Sequence, residues 1–178
     1  MKVVNANYEA DGVRQPDAAV LSRFNEDYAF ALIQMGFPRM PARVLVALFT
    51  TDVGRLTAAE LADSLKASPA AISGAVRYLI PLGLVRREGE PGSRRHYYRV
   101  PDGVWEEVLR QRDGLMGRWA ALVRQGVGIV GADTAAGGRL AETADFLEFV
   151  SAELPDVIRR WQEHKKALEG QAAPPAGG

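Results

Sequence analysis

Apolar and polar residues alternate along this chain with two different periods, and the changes of period mark its elements. From Pro16-Asp17 onward, Val20, Phe24, Tyr28, Ala31/Leu32 and Met35 recur at a spacing of three to four. That spacing predicts a helix with those side chains inward and Gly36 as its stop. Leu45, Leu48 and Phe49 fit the buried face of a short second helix, closed by Gly54. Thr57-Ala-Ala-Glu60 is a capping box, in which the hydroxyl accepts from a free backbone N–H and the acid reaches back. It opens a third helix with Leu61, Ala62 and Leu65 inward. Ser68-Pro69 opens a fourth, with serine as N-cap and proline at the first helical position, where a missing N–H is harmless. Ile72, Val76, Leu79 and Ile80 point inward there, and Pro81 with Gly83 ends it. The period then shortens: residues 84–87 and 94–100 predict two strands around a Gly/Pro-rich turn, a two-stranded hairpin.

After Pro101-Asp102 the helical period returns. Val108, Leu115, Leu122 and Ile129 recur every seven residues, with Trp105 and Trp119 three residues before two of them. Arg112 and Gly126 break that seam and Leu109, Met116 and Val123 widen it, which predicts bundle packing rather than a strict coiled coil. Residues 126–138 hold five glycines and predict a flexible joint. Leu140, Ala144, Leu147 and Val150 predict a further helix, kinked or restarted at Pro155. Leu154, Ile158, Trp161 and Leu168 line the last one.

Two short helices joined by a tight turn and followed by a hairpin describe a winged helix-turn-helix. The predicted class is mainly α with a small β-hairpin wing, flanked by N- and C-terminal dimerisation helices. The expected organisation is a flexible arm (1–16), a dimerisation helix (17–37) and a DNA-binding winged domain (38–101). A helical dimerisation and effector region (102–169) and a disordered tail (170–178) complete it.

Charge sharpens this picture. The whole chain is neutral, with 22 Lys/Arg against 22 Asp/Glu. Residues 38–101 nevertheless hold ten Lys/Arg and five Asp/Glu, a net +5, and the flanks carry −5. A basic middle between acidic flanks fits a local surface for nucleic acid. On the fourth helix the outward face is Ala70, Ala71, Ser73, Gly74, Arg77 and Tyr78. Its small residues let a helix sit deep in a major groove about 12 Å wide. Arg77 and Ser73 are candidates for base edges, and Ser68 and Tyr78 for phosphates. Arg86, Arg87, Arg94, Arg95 and Arg99 crowd the hairpin, and of these Arg86, Arg94, Arg95 and Arg99 are candidates for backbone or minor-groove contact. Alternation puts Arg95, Tyr97 and Arg99 on one face and Arg94, His96 and Tyr98 on the other.

The residues also resemble a known family. Gly36-Phe-Pro-Arg-Met40, Ala42-Arg43-Val-Leu45, Leu61-Ala62-Asp63-Ser64-Leu65 and Ser68-Pro-Ala-Ala-Ile72-Ser73 carry the likeness. So do Tyr78-Leu79, Gly83-Leu84-Val85-Arg86-Arg87 and Gly92-Ser93-Arg94-Arg95-His96-Tyr97-Tyr98. Together they resemble MarR-type winged-helix regulators, in the branch similar to the glycine-betaine-synthesis repressor. The resemblance implies a homodimer that presents two recognition helices to a pseudopalindrome in double-stranded DNA, and a repressor released by a small-molecule effector. Phe24, Tyr28, Trp105 and Trp119 fit either the lining of such an effector pocket or plain core.

Other chemistry finds little support. The chain has no cysteine, which excludes disulfides, thiol catalysis and cysteine-ligated zinc. Gly126-Val-Gly128-Ile-Val-Gly131 spells a dinucleotide fingerprint, but it follows a helix, not a strand. His96 and His164 are isolated, and Glu106 and Glu107 are adjacent on a helix and so diverge. No catalytic set, metal or cofactor is expected. No stretch reaches the ~18 apolar residues that span a bilayer, so a cytoplasmic protein without membrane contact is expected. The competing function is a winged helix that binds a protein partner rather than DNA.

Overall fold

The computed structural model describes residues 17–89, 92 and 95–172. Residues 1–16 and Arg94, which the sequence assigns to an arm and a DNA contact, lie outside the described residues. Of the disordered tail expected over 170–178, residues 170–172 end a helix and 173–178 lie outside the described residues. The described elements run α1 (Ala18–Gln34), α2 (Arg39–Phe49), β1 (Leu56–Thr57), α3 (Ala58–Leu65) and α4 (Pro69–Leu79). They continue with β2 (Arg86–Gly89), β3 (His96–Arg99), α5 (Val104–Val130) and α6 (Ala135–Ala172). The chain divides into two compact units, one holding residues up to Tyr78 plus Glu88–Arg99, the other Leu79–Arg87 plus Val100 onward.

In the first unit, Asp17 caps α1 by accepting from the Ala19 N–H at 2.8 Å. Helix α1 packs on α2 through Ala29 and Leu32, both buried. Arg43 of α2 donates to Glu26 of α1 at 2.8 and 3.0 Å and to the Leu65 carbonyl at 3.4 Å, which ties three helices together. Helix α2 is the centre of this core, with Ala42, Val44, Leu45, Val46 and Leu48 buried. Of the expected inward stripe of α1, Leu32 is buried and Tyr28 half-buried, whereas Val20, Phe24 and Met35 are exposed. Its apolar residues occupy two faces, and the face read from the spacing meets α2 only through Tyr28 and Leu32.

The predicted two-stranded hairpin is a three-stranded sheet in the order β1-β3-β2. Antiparallel pairing sets Leu56 opposite Tyr98 and Thr57 opposite Tyr97. Strand β1 has only two residues, too short for a period of two to register, and Thr57 serves at once as its end and as the N-cap of α3. Strand β2 begins at Arg86, two residues later than expected, because Leu84 and Val85 are buried side chains leading into it.

In the second unit, α5 and α6 pack against one another. Ala120, Ala144 and Leu147 are buried there, and Leu109, Met116, Val123, Leu140 and Ile158 are half-buried. The seam at seven-residue spacing faces away: Leu115 is 56% exposed, Leu122 66% and Ile129 83%. Glycine 126 and Gly128 do not form a flexible joint, because α5 runs through both to Val130. A Cβ on Gly126 would stand 3.2 Å from Leu140 Cδ1, so glycine there serves close helix approach. The turn is confined to residues 131–134, with Gly131 at φ +91°. The two helices expected on either side of Pro155 are one, α6, which contains that proline and continues to Ala172.

Candidate nucleic-acid interface

The helix-turn-helix is α3, a short turn and α4. Thr57 Oγ1 accepts from the Glu60 N–H at 3.2 Å, and Glu60 Oε2 accepts from the Thr57 N–H at 2.7 Å, completing the predicted capping box. The Thr57 backbone and hydroxyl bonds hold the Glu60 carboxyl below the usual carboxylate range, and the positive field of Arg95 adds to this. Helix α3 closes on Lys66 in the left-handed region (φ 48°), where the Ala67 N–H donates to the Ala62 carbonyl at 2.9 Å. Ser68 then starts α4, its hydroxyl accepting from the Ala71 N–H at 3.2 Å and its carbonyl from the Ile72 N–H at 3.1 Å.

The two faces of α4 separate by chemistry. Ile72, Ala75, Val76 and Leu79 are buried. Ser68, Ala70, Ser73, Gly74, Arg77 and Tyr78 are exposed, and Ala71 is half-buried. Ile80, expected inward, is exposed because the helix stops at Leu79. The chain leaves through Gly83 (φ +72°), with the Leu84 N–H donating to the Leu79 carbonyl at 3.2 Å. Arg77 has no ion-pair partner among the described residues, so its five donors face solvent.

On the sheet, Arg95 is exposed and Arg99 is half-buried in an ion pair with Glu88. Arg86 and Arg87 are exposed and belong to the second unit. Strand pairing puts Thr57 and Tyr97 on one face, together with Arg95 and Arg99 by alternation. Arg55 joins that face with its guanidinium carbon 4.2 Å from the centre of the Tyr97 ring. Arg55 is absent from the sequence-derived contacts; its only signal was position beside a strand too short to see.

The aromatic candidates are divided between the two units. Phe24 and Tyr28 are neighbours with ring centres 5.9 Å apart, and Tyr28 is 6.3 Å from Phe49. Trp105 and Trp119 are exposed on α5, in the other unit. Fourteen positions separate them, about 21 Å of helix, so one chain does not bring both tryptophans to a single drug-sized cavity. Among the described residues no group of three His, Asp or Glu side chains is placed to hold a metal ion, and no helix is long and apolar enough to cross a membrane.

Two family models match this chain, one described as the MarR family over residues 35–96 and one as MmpR5-like MarR family transcriptional regulators over residues 103–164. Between them they cover the helix-turn-helix, β1, β2 and most of the α5–α6 hairpin. Both models are of the MarR family and match separate stretches of the chain, which is thus similar to that family. The chain is a winged helix-turn-helix, DNA-binding transcriptional regulator and not an enzyme. The HTH-type transcriptional regulator MmpR5 of Mycobacterium tuberculosis (strain ATCC 25618 / H37Rv) is 29% identical over 155 residues, 86% of this chain and 94% of that one. A crystal structure described as a transcriptional regulator is 27% identical with a TM-score of 0.73, covering 81% of this chain and 99% of that one. Sco3205, a MarR family regulator of Streptomyces coelicolor solved in complex with DNA, is 22% identical with a TM-score of 0.39, over 88% of this chain and 87% of that one. None of these matches supports the glycine-betaine branch that the sequence motifs resemble.

Proposed function

We propose that this protein is a homodimeric repressor that reads a pseudopalindromic operator with α4 and grips the flanking backbone with its wing. The observation that carries this is the face of α4. One side is fully buried, and the other offers small residues and Arg77, which has no ion-pair partner among the described residues. A merely solvated helix face would carry several Lys and Glu. Arg77 and Ser73 read base edges, and Ser68, Tyr78 and Arg95 hold phosphates or the minor groove. Arg94 and Arg86 extend the grip along the wing, whereas Arg99 acts through Glu88 to stiffen the sheet.

Dimerisation rests on apolar surface left uncovered in one chain. Val20 and Phe24 of α1, Leu115, Trp119, Leu122 and Ile129 of α5, and Phe146 and Phe149 of α6 are all exposed. Monomeric proteins rarely expose so many large apolar side chains. Release by a small-molecule effector is part of the same proposal, with Phe24 and Tyr28 as the aromatic pair that would meet it. The effector's chemistry does not follow from the glycine-betaine likeness, since the C-terminal match is to the MmpR5-like group.

The test is fluorescence anisotropy on the gene's own upstream duplex and on a scrambled duplex, across a salt series. Tight, salt-steep and sequence-selective binding is expected. Weak binding to both, and to duplexes selected from a random pool, would favour a protein partner for the winged helix instead.

A further inference from the structure

We propose that Arg55, held against the ring of Tyr97, is a preoriented phosphodiester contact that adds β1 to the DNA-binding surface. The inference rests on the DNA-binding reading above and adds a residue outside both the recognition helix and the wing arginines.

Three observations converge on it. Arg55 is exposed and its guanidinium lies over Tyr97, 4.2 Å from the ring centre. A guanidinium carries five N–H donors, so a cation–π contact with one ring leaves donors for an anion. Among the described residues no carboxylate pairs with Arg55, unlike Arg99 with Glu88 and Arg43 with Glu26. The Thr57–Tyr97 pairing puts Arg55 on the face of the sheet that also carries Arg95. A charged fork, held by a ring and lacking a protein anion, fits the bidentate geometry of a phosphate. Glu60 already fills the exposed start of α3, so an anion on this face falls to the arginines rather than to that helix end.

The experiment uses the full chain and a fluorescein-labelled duplex of random sequence, because a phosphate contact does not depend on sequence. Wild type, Arg55→Gln, Arg55→Lys and Tyr97→Leu are compared across a salt series, with circular dichroism to confirm the fold. Arg55→Gln should weaken binding roughly tenfold. Its log K against log salt slope should fall by about 0.9 for each Arg55 in the complex. Arg55→Lys should keep the slope and lose part of the affinity, because the charge stays and the stacked fork goes. Tyr97→Leu should do the same; if that variant misfolds, Arg55→Lys alone answers the question of the stack. Arg55→Gln with wild-type affinity and slope would overturn the proposal. An effect confined to a selected operator would overturn it too, by making Arg55 a base reader. Arg55→Lys indistinguishable from wild type would remove the role of Tyr97. Failure of wild type to bind any duplex would instead sink the DNA-binding reading itself.

Discussion

Two neighbouring glycines at the start of α6 should respond to alanine in opposite directions. A Cβ on Gly137 would stand 2.1 Å from the Gly131 carbonyl oxygen and 2.9 Å from its carbon. Both are backbone atoms, so no side chain can swing aside. Ordinary carbon–oxygen contacts lie near ~3.3 Å, and the turn would have to open by about 1 Å. Thr134 resists that opening, since its hydroxyl donates to the Gly131 carbonyl at 2.8 Å and accepts from the Gly137 N–H at 2.9 Å. Overpacking of this kind costs ~1–3 kcal/mol, and a backbone clash belongs at the upper end. Alanine's helical advantage returns up to ~1 kcal/mol, leaving Gly137→Ala destabilised by about 2 kcal/mol. Gly138 has nothing within 4 Å of its added Cβ. Gly138→Ala should therefore gain about 0.5–1 kcal/mol. At ~2–4 °C per kcal/mol for a chain of this size, Gly137→Ala should melt about 4–8 °C lower and Gly138→Ala slightly higher. Melting must be followed by circular dichroism at one protein concentration, because assembly shifts the midpoint. Equal stability of the two variants would refute the close approach at the α5–α6 turn.

Other outcomes follow from the helix-turn-helix and the exposed seam. Arg77→Ala should weaken operator binding by ~1–3 kcal/mol and relax one base position; equal loss on random duplex would reassign Arg77 to a phosphate. Glu60→Gln should cost stability at neutral pH, because the folded carboxyl is held low by its Thr57 bonds. That contribution is present above the unfolded pKa and fades as pH falls through the folded one, so urea melts of wild type and variant should converge in acid. Leu122→Glu should convert the protein to a monomer with unchanged helicity, read by light scattering beside circular dichroism; an unchanged mass would remove α5 from the interface.

The sequence made the helix-turn-helix legible because its signals are local. The Thr57–Glu60 box, the Ser68-Pro69 start and the Gly83 exit each satisfy backbone groups within a few residues, and each is found where the residue types put it. Spacing alone gave Ile72, Val76 and Leu79 of the buried face of α4, but it missed Ala75 and put the exposed Ile80 there as well. Strand β1 did not follow from spacing, because two residues carry no period and their pairing to Tyr97 and Tyr98 is long-range. Arg55 was hidden for the same reason. The glycines of 126–138 misled because their composition signals looseness, whereas Gly126 and Gly137 are sites of close contact that only the packed hairpin reveals. Arg99 looked like one more wing cation, and its partner Glu88 on the adjoining strand emerges only from the fold.

Helix α5 shows why apolar spacing and burial can disagree within one chain. It carries two apolar faces. Leu109, Met116, Ala120 and Val123 are covered at least in part, and the unit's own partner for them is α6. Leu115, Leu122 and Ile129 keep a heptad spacing and remain exposed. The Arg124 pairs with Asp145 and Glu148, at 2.7 Å each, link α5 to α6 but are exposed, so they fix register more than they stabilise. The hairpin's own contacts thus account for one face only, and the proposed homodimer would cover the heptad face. In the proposed homodimer each protomer would bring one α4 and one Arg55 to the DNA, so assembly would set the electrostatics of binding. Two protomers neutralise twice as many phosphates as one, so a monomeric Leu122→Glu should show about half the salt slope of wild type. A slope that stayed whole in the monomer would separate dimerisation from DNA grip and leave the exposed seam to some other partner.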